Sequence, residues 1–450
     1  MTGDRAPTAE TADSLCGSRH GRRLTTGYPD STSDRPSASV QGPAPHSGME
    51  RMTSTTNVPY DQPRRPGKRL RLPGGGMSLS EGLGGHRNSL GVLRLILASM
   101  VIFSHAFPTG GWGEDPSKGW TNGQETIGGF AVVGFFTISG YLIAKSGASA
   151  DILQFVWRRA LRIFPAFWTV LLVGAVIVGP IAWHLSGRGL RDYIGVSPVA
   201  YVFSNADLTM RQWGVWDIFQ NTTPYGEVVQ YSVFNGSLWT LTLEWGCYML
   251  IAALLVVGVL RHARWVVPAL AAGFWLADIA YSVAPQIVTV FIPQLVDANP
   301  IKLGLAFLIG SSLAMYSKRI PLNDWIGVAC GVVAAVTLVT GGWVLLGYPA
   351  FAYFILWLAA RLPKRVQWIG AKNDYSYGMY VYGFLVQQFT AFLGWNALGY
   401  WPWVGLTILV TAACAWLSWH GVEKRAMALK DRGPGRGLEW LATRRTADPV

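Results

Sequence analysis

Charge is what this chain has least of. Only 14% of its 450 residues are Asp, Glu, Lys or Arg, where a soluble domain carries roughly a quarter, and the polar first 85 residues hold many of them. A soluble enzyme or water-exposed binding module is excluded, and a hydrophobic content of 50% leaves a membrane protein as the class that fits. Acidic residues are scarcer than basic ones, 25 against 37, for a net charge of +12. No basic stripe or nucleic-acid-binding motif goes with that excess, so nucleic acid is not an expected partner. Lys and Arg gathered on cytoplasmic loops account for it. Cysteine is nearly lacking. Cys16, Cys247, Cys330 and Cys414 are widely spaced, three of them in apolar segments, and form neither a disulfide framework nor a metal site.

Residues 1–85 are rich in Ser, Thr, Pro, Gly and Arg without apolar periodicity, the composition of a disordered cytoplasmic tail. They contain no apolar stretch of the kind a signal peptide needs. Met77 opens MSLSEGLGGHRNSL, itself a reasonable start for a compact membrane protein. From Leu90 onward about ten segments are long and apolar enough to cross a bilayer: 90–107, 127–144, 164–184, 238–260, 265–283, 301–316, 325–341, 343–360, 375–393 and 402–419. The expected fold is all-α, a polytopic transmembrane helix bundle over 86–425, with the tail before it and a cytoplasmic C-terminal tail over 426–450.

The charges orient that bundle. With the N-terminus inside, the loops 145–163, 261–264, 317–324 and 361–374 are cytoplasmic and hold about twelve Lys and Arg. The longer outer connections hold about five: Lys118, Arg188, Arg191, Arg211 and Lys302. Both termini are therefore expected in the cytoplasm, with the protein in the cell membrane and the lipid bilayer as its surroundings. Trp112, Trp120, Trp395, Trp401 and Trp403 fall near outer ends, where an aromatic belt belongs.

The first segment, LGVLRLILASMVIFSHAF, breaks its own apolar pattern at Arg94 and His105. Eleven positions at 100° each come to about 20° from three full turns, so the two side chains share one face, roughly 16 Å apart along the axis. Ionisable groups inside a membrane are costly and face a protein interior, a wet cavity or a partner. In the expected topology Arg94 lies towards the cytoplasm and His105 towards the outside. Glu244 and Asp278 fall at a similar outer depth to His105, so the three can share one wet cavity; the alternative is that both acids are structural partners of neighbouring helices.

On the inner side, Arg158, Arg159 and Arg162 fall on one side of a short interfacial helix, after which Pro165 redirects the chain into the third span. Contact with anionic lipid explains such a cluster, and so does a phosphorylated cytosolic ligand, since arginine forks match phosphate oxygens. Gly129, Gly134 and Gly140 of the second span, and Gly327 and Gly331 of the seventh, read as helix-packing positions. Ser139 offers a mid-membrane hydroxyl with no histidine or acid beside it in sequence. A loop of about fifty residues after the third span carries Tyr193, Tyr201, Phe203, Trp213, Trp216, Tyr225 and Tyr231; such rings either stack on sugars or rest at the membrane interface.

Taken together, these motifs resemble the acyltransferase-3 family of integral-membrane O-acyltransferases, over roughly residues 86–425. The resemblance rests on N-S-L-x-x-x-R-x(10)-H at Asn88–His105, GFFTISGYLI at Gly134–Ile143, RRALRIFP at Arg158–Pro165 and SLWTLTLE at Ser237–Glu244. YSYGMYVYG at Tyr375–Gly383 and VEK at Val422–Lys424 complete the set. It implies that Arg94, His105 and Glu244 are needed for activity, and that Arg158, Arg159 and Arg162 meet an acyl-CoA donor. Two positions depart from the family pattern: Gly383 stands where a histidine is common, and Arg425 replaces the proline of V-E-K-P.

The function so implied is transfer of an acyl group, acetyl by default, from cytosolic acyl-CoA to a hydroxyl of an extracytoplasmic glycan or glycosylated small molecule. His105 acts either as general base or through a transient acyl-histidine, Glu244 orients imidazole or acceptor, and Arg94 neutralises negative charge lower down. A thioester acylates an alcohol without a metal, so no permanently bound cofactor is expected. The runner-up is a transporter or flippase for a lipid-linked glycan, although the chain shows no inverted repeat and no pair of broken helices.

Overall fold

The computed structural model describes residues 76–85, 88–147, 149–286, 297–438 and 440. The expected disordered tail falls mostly on residues 1–75, outside the described ones. Its last stretch is folded instead. Ser78 and Glu81 close a capping box at the helix Leu79–Gly82, and Leu79 is fully buried. Leu79 and Ser80 donate to the carbonyls of Ile320 and Ser317 at 2.9 and 3.0 Å, and Leu322 donates back to Met77 at 2.8 Å. The segment is a plug on the turn that follows residue 315.

Helices dominate the remainder because apolar runs with few charges satisfy their backbone internally. The first five long ones are α1 (Leu90–Gly110), α2 (Ile127–Gly147), α3 (Ile152–Val173), α4 (Trp239–Val256) and α5 (Val266–Val283). The others are α6 (Asn299–Met315), α7 (Asp324–Thr340), α8 (Tyr348–Arg361), α9 (Ser376–Phe392) and α10 (Tyr400–Ser418). All ten expected segments are thus helical. Among the described residues seven are long and apolar enough to span a membrane, while α6, α7 and α9 have only 17 residues each.

One expectation fails at α3. Pro165 does not redirect the chain. It lies inside a helix that runs on through a π turn at Gly174–Val178 to Leu185, 34 residues in all. At 1.5 Å per residue that is about 51 Å, well beyond a hydrocarbon core of about 30 Å. Arg158, Arg159 and Arg162 therefore sit on the overhanging first turns of a long helix rather than on a separate interfacial one. Asp151 caps its start by accepting from Gln154 N at 2.9 Å. The chain beyond residue 426, expected as a cytoplasmic tail, folds back along these turns: Trp157 Nε1 donates to Leu429 O and Gln154 Nε2 to Gly435 O, each at 3.0 Å.

Packing places α1 between α2 and α9, with α2 crossing α6 and α9 lying against α10. The α2–α6 crossing is made by reciprocal glycines. A methyl group on Gly140 would lie 2.0 Å from Phe307 O, and one on Gly310 would lie 2.1 Å from Thr137 O. Gly327 and Gly331 likewise receive the rings of Trp357 and Phe354, as expected of packing positions. Gly129 differs, because its open side is filled by the Glu125 carboxylate. Of the five tryptophans placed in the belt, Trp403 is fully buried, donating to Thr390 Oγ1 at 3.0 Å.

Candidate active site

The site has two ends and a cavity between them. At one end α1 carries Arg94 and α3 carries Arg158, Arg159 and Arg162. Asp374, two residues before α9, receives both Arg94 Nη1 and Arg162 Nη2, the latter at 2.5 Å. The three groups are only 21%, 15% and 19% exposed, in the order Arg94, Arg162, Asp374. Ser376 adds its hydroxyl at 2.5 Å and its backbone N–H at 3.2 Å. Burial works against the Asp374 charge, but the two guanidiniums and the Ser376 donors outweigh it and hold the carboxyl down to about 2. Arg158 pairs with the exposed Asp431 at 2.7 Å. Among the described residues Arg159 pairs with no acid: its Nε is buried without a hydrogen-bond partner, and its guanidinium lies 6.0 Å from the Phe155 ring centre. The charges facing it include Glu244, Arg162 and Arg158.

Above this end lies a small, partly open cavity. Val132, Phe135 and Phe136 of α2 make its apolar wall, and Arg94, Ser139, Thr240, Glu244, Tyr377 and Tyr380 its polar one. Tyr248 OH donates to Glu244 Oε1 at 2.5 Å, and Ser139 Oγ stands 3.4 Å from the same oxygen. The SLWTLTLE motif explains the arrangement, since Ser237, Thr240 and Glu244 fall at spacings of three, four and seven and so share one helix face. Thr240 meets Tyr380 through their hydroxyls, and Tyr380 OH donates to Ser237 O at 3.0 Å.

That face leads to the histidine end. His105 Nδ1 lies 3.4 Å from Ser237 Oγ, and its ring meets the Phe384 ring edge-on at 5.3 Å between centroids. Tyr225 packs against Phe384 in the same edge-on manner, also at 5.3 Å. The strand of chain leading into α4 is locked down here. Asn235 Nδ2 donates to Val381 O at 2.6 Å, and Gln388 Nε2 to Val233 O at 2.8 Å. Tyr193 and Tyr201 of the aromatic loop are buried, whereas Phe203 and Trp216 are exposed.

Arg94 and His105 thus lie along one polar line, as their spacing predicted. Glu244 does not sit with His105 at one depth: it shares the cavity with Arg94 and hydrogen-bonds with Tyr248 and Ser139. Asp278 belongs to neither end, being buried on α5 where the opposing charge is Lys302. Ser139, isolated in sequence, gains an acid in space. Sequence reasoning missed Asp374, Ser237 and Tyr380, although all three lie within or beside quoted motifs, and Glu423 of the VEK motif, 2% exposed and bonded to Ser418 at 3.0 Å. Gly383 has no room for the histidine seen elsewhere, because a methyl group there would lie 2.7 Å from Ile102.

Fold and site together define a multi-pass membrane protein with a partly open cavity lined by Arg94 and Glu244, beyond which Ser237 meets His105. Residues 87–420 match the model of a family described as an acyltransferase domain. The chain belongs to this acyltransferase-3 family of membrane O-acyltransferases. It is 30% identical over 346 residues, 75% of this chain and 95% of the relative, to an O-acetyl transferase of Shigella phage Sf6. It is 28% identical over 370 residues, 77% of this chain and 95% of the relative, to nodulation protein 10 of Rhizobium leguminosarum bv. viciae. No solved structure matches significantly. The chain is therefore an O-acyltransferase enzyme, which sets the flippase reading aside.

Proposed function

We propose that the enzyme takes an acyl group, acetyl in the first instance, from cytosolic acyl-CoA and passes it to a hydroxyl of a glycan or glycosylated small molecule on the other side of the membrane. The observation that carries this reading is the polar line itself, from Arg159, whose Nε is buried without a partner, past the Arg94–Glu244 cavity to Ser237 and His105. The basic loops favour the arginine end in the cytoplasm. There Arg159 offers charge to the donor's phosphates, with Arg158 beside it on the exposed Asp431, whereas Arg162 and Arg94 are engaged by the half-buried Asp374. The acyl-bearing arm then occupies the cavity, whose aromatic wall suits a pantetheine chain.

At the other end, with the imidazole proton on Nδ1 towards Ser237, the Nε2 lone pair is the base. It takes the acceptor's O–H proton as that oxygen attacks the thioester carbonyl; the C–S bond breaks and the proton passes to the leaving thiolate. The name of the phage relative, an O-acetyl transferase, supports acetyl as the group moved. Glu244, held by Tyr248, lies on the donor's path rather than beside the base. Membranes holding the protein, given acetyl-CoA labelled in the acetyl group, should pass label to cell-surface glycan or to an added glycosylated acceptor. Label that never leaves CoA in the presence of such acceptors would refute the assignment.

A further inference from the structure

The connection between α1 and α2 brings a carboxylate to the histidine end that the proposed chemistry has not used. Asp115 is 8% exposed. Ser104, the residue before His105 on α1, donates its hydroxyl to Asp115 Oδ2. Ser117 gives Oδ1 both its N–H at 2.9 Å and its hydroxyl at 2.6 Å. Ser117 Oγ in turn accepts from Ile127 N at 2.8 Å, tying the carboxylate to the start of α2. Both oxygens are thus held by neutral donors. Among the described residues no cation pairs with Asp115; the nearby Lys118 faces Glu114 at 4.0 Å. A buried charge held by dipoles but left uncompensated projects its field into its surroundings. The hydrogen bond from Ser104 anchors the carboxylate to α1, one residue from His105.

We propose that Asp115 is a positioning residue for acyl transfer, a fixed negative charge beside His105 that stabilises the imidazolium formed when the histidine takes the acceptor's proton. The inference rests on the reading of His105 as base. Its physical content is preorganisation: the Ser104, Ser117 and Ile127 hydrogen bonds set the carboxylate in place before reaction, so no reorientation accompanies charge development. Ser237 holds the ring on one side, and Asp115 supplies the charge that Ser237 lacks. The other titratable groups near this end do not replace it. Tyr400 of α10 donates to Phe103 O at 3.0 Å, and Tyr225 lies beyond Phe384. Glu227 is exposed on the Tyr225 helix, and Glu125, ahead of α2, faces Lys302 and Asp278 instead. From α4 and α9 the neighbours of the ring are Ser237 and Phe384, neither of them charged.

The test is the pH dependence of transfer by the full-length protein in membrane vesicles, with acetyl-CoA as donor and pH varied on the acceptor side. Removing the negative charge makes the imidazolium harder to form. Asp115→Asn should therefore lower kcat about tenfold and move the acidic limb of kcat/KM to lower pH by about one unit. Asp115→Ser, neutral and smaller, carries the same expectation should the asparagine variant fail to fold. Ser104→Ala, which frees one carboxylate oxygen but keeps the charge, should leave the limb closer to wild type than either. Unmoved acidic limbs in the neutral variants would overturn the inference. His105→Ala separates the two readings. If it stays active, the base assignment itself fails; if it is dead and the limb of Asp115→Asn does not move, only the role of Asp115 fails.

Discussion

Replacing Asp374 by asparagine tests how the arginine end is held together. The substitution keeps the size of the side chain and an acceptor for Ser376, but leaves Arg94 and Arg162, 21% and 15% exposed, without their acid. Stranding a buried charge costs about 3–5 kcal/mol. A second route gives a similar figure. A carboxyl lowered from 3.8 to about 2 corresponds to roughly 2.5 kcal/mol of stability. Thermal unfolding in detergent, followed by tryptophan fluorescence, should therefore show Asp374→Asn melting at least about 5 °C below wild type at pH 7. The sign with pH follows from the direction of the shift. A depressed carboxyl contributes fully above its ordinary value near 4 and loses that contribution as pH falls through about 2. The gap between wild type and variant should be constant from pH 7 to about 5 and close towards pH 2. Adding Arg162→Met should recover part of the loss, since it removes one of the stranded cations. Equal melting temperatures at pH 7, or strictly additive effects of the two substitutions, would refute the clamp.

Three further outcomes are expected. His105→Ala should abolish transfer, a fall of at least about 10²-fold, with the protein still recovered in the membrane fraction; residual activity near wild type sinks its role. Arg159→Gln should raise KM for acyl-CoA by about tenfold while kcat changes little, with Arg159→Lys intermediate; an unchanged KM would place the donor elsewhere. Gly140→Ala should destabilise by about 1–3 kcal/mol or more, because the added methyl meets the Phe307 carbonyl at 2.0 Å, whereas Gly246→Ala, with open space beside it, should be neutral in the same melt.

The positions of the helices and the shared face of Arg94 and His105 were legible because they depend on local periodicity alone. So was the packing role of Gly140 and Gly327, since small residues at helical spacing have few other uses in an apolar segment. Asp374 was not legible: it meets Arg94 across 280 residues of sequence, and nothing local marks it as their partner. Pro165 misled because a proline removes one backbone hydrogen bond; in a long helix that neighbours support, the loss is tolerated. The depth of Glu244 misled for another reason. Counting residues from the start of α4 assumes that the helix begins at the membrane surface, yet Val233, Phe234, Asn235 and Ser237 just before it are all buried. The chain has already entered the bundle when α4 begins, so Glu244, its sixth residue, reaches deeper than a count implies.

The seam made by Asn235 with Val381 and by Gln388 with Val233 has an evolutionary consequence. The hydrogen bonds of the segment before α4 run to α9 at this seam, to Ala175 and Trp183 near its start, and to Trp168 and Thr242 further along; among the described residues none runs to the four arginines. A lineage can therefore rewrite the exposed part of this segment, Phe203 and Trp216 included, so long as the two amides keep their carbonyls and the buried Tyr193 and Tyr201 keep their places. On the proposed function, the arginine end would then stay fixed while this surface varies. Chimeras that graft this stretch between relatives at residues 186 and 233 should trade acceptors and keep their appetite for the same thioester.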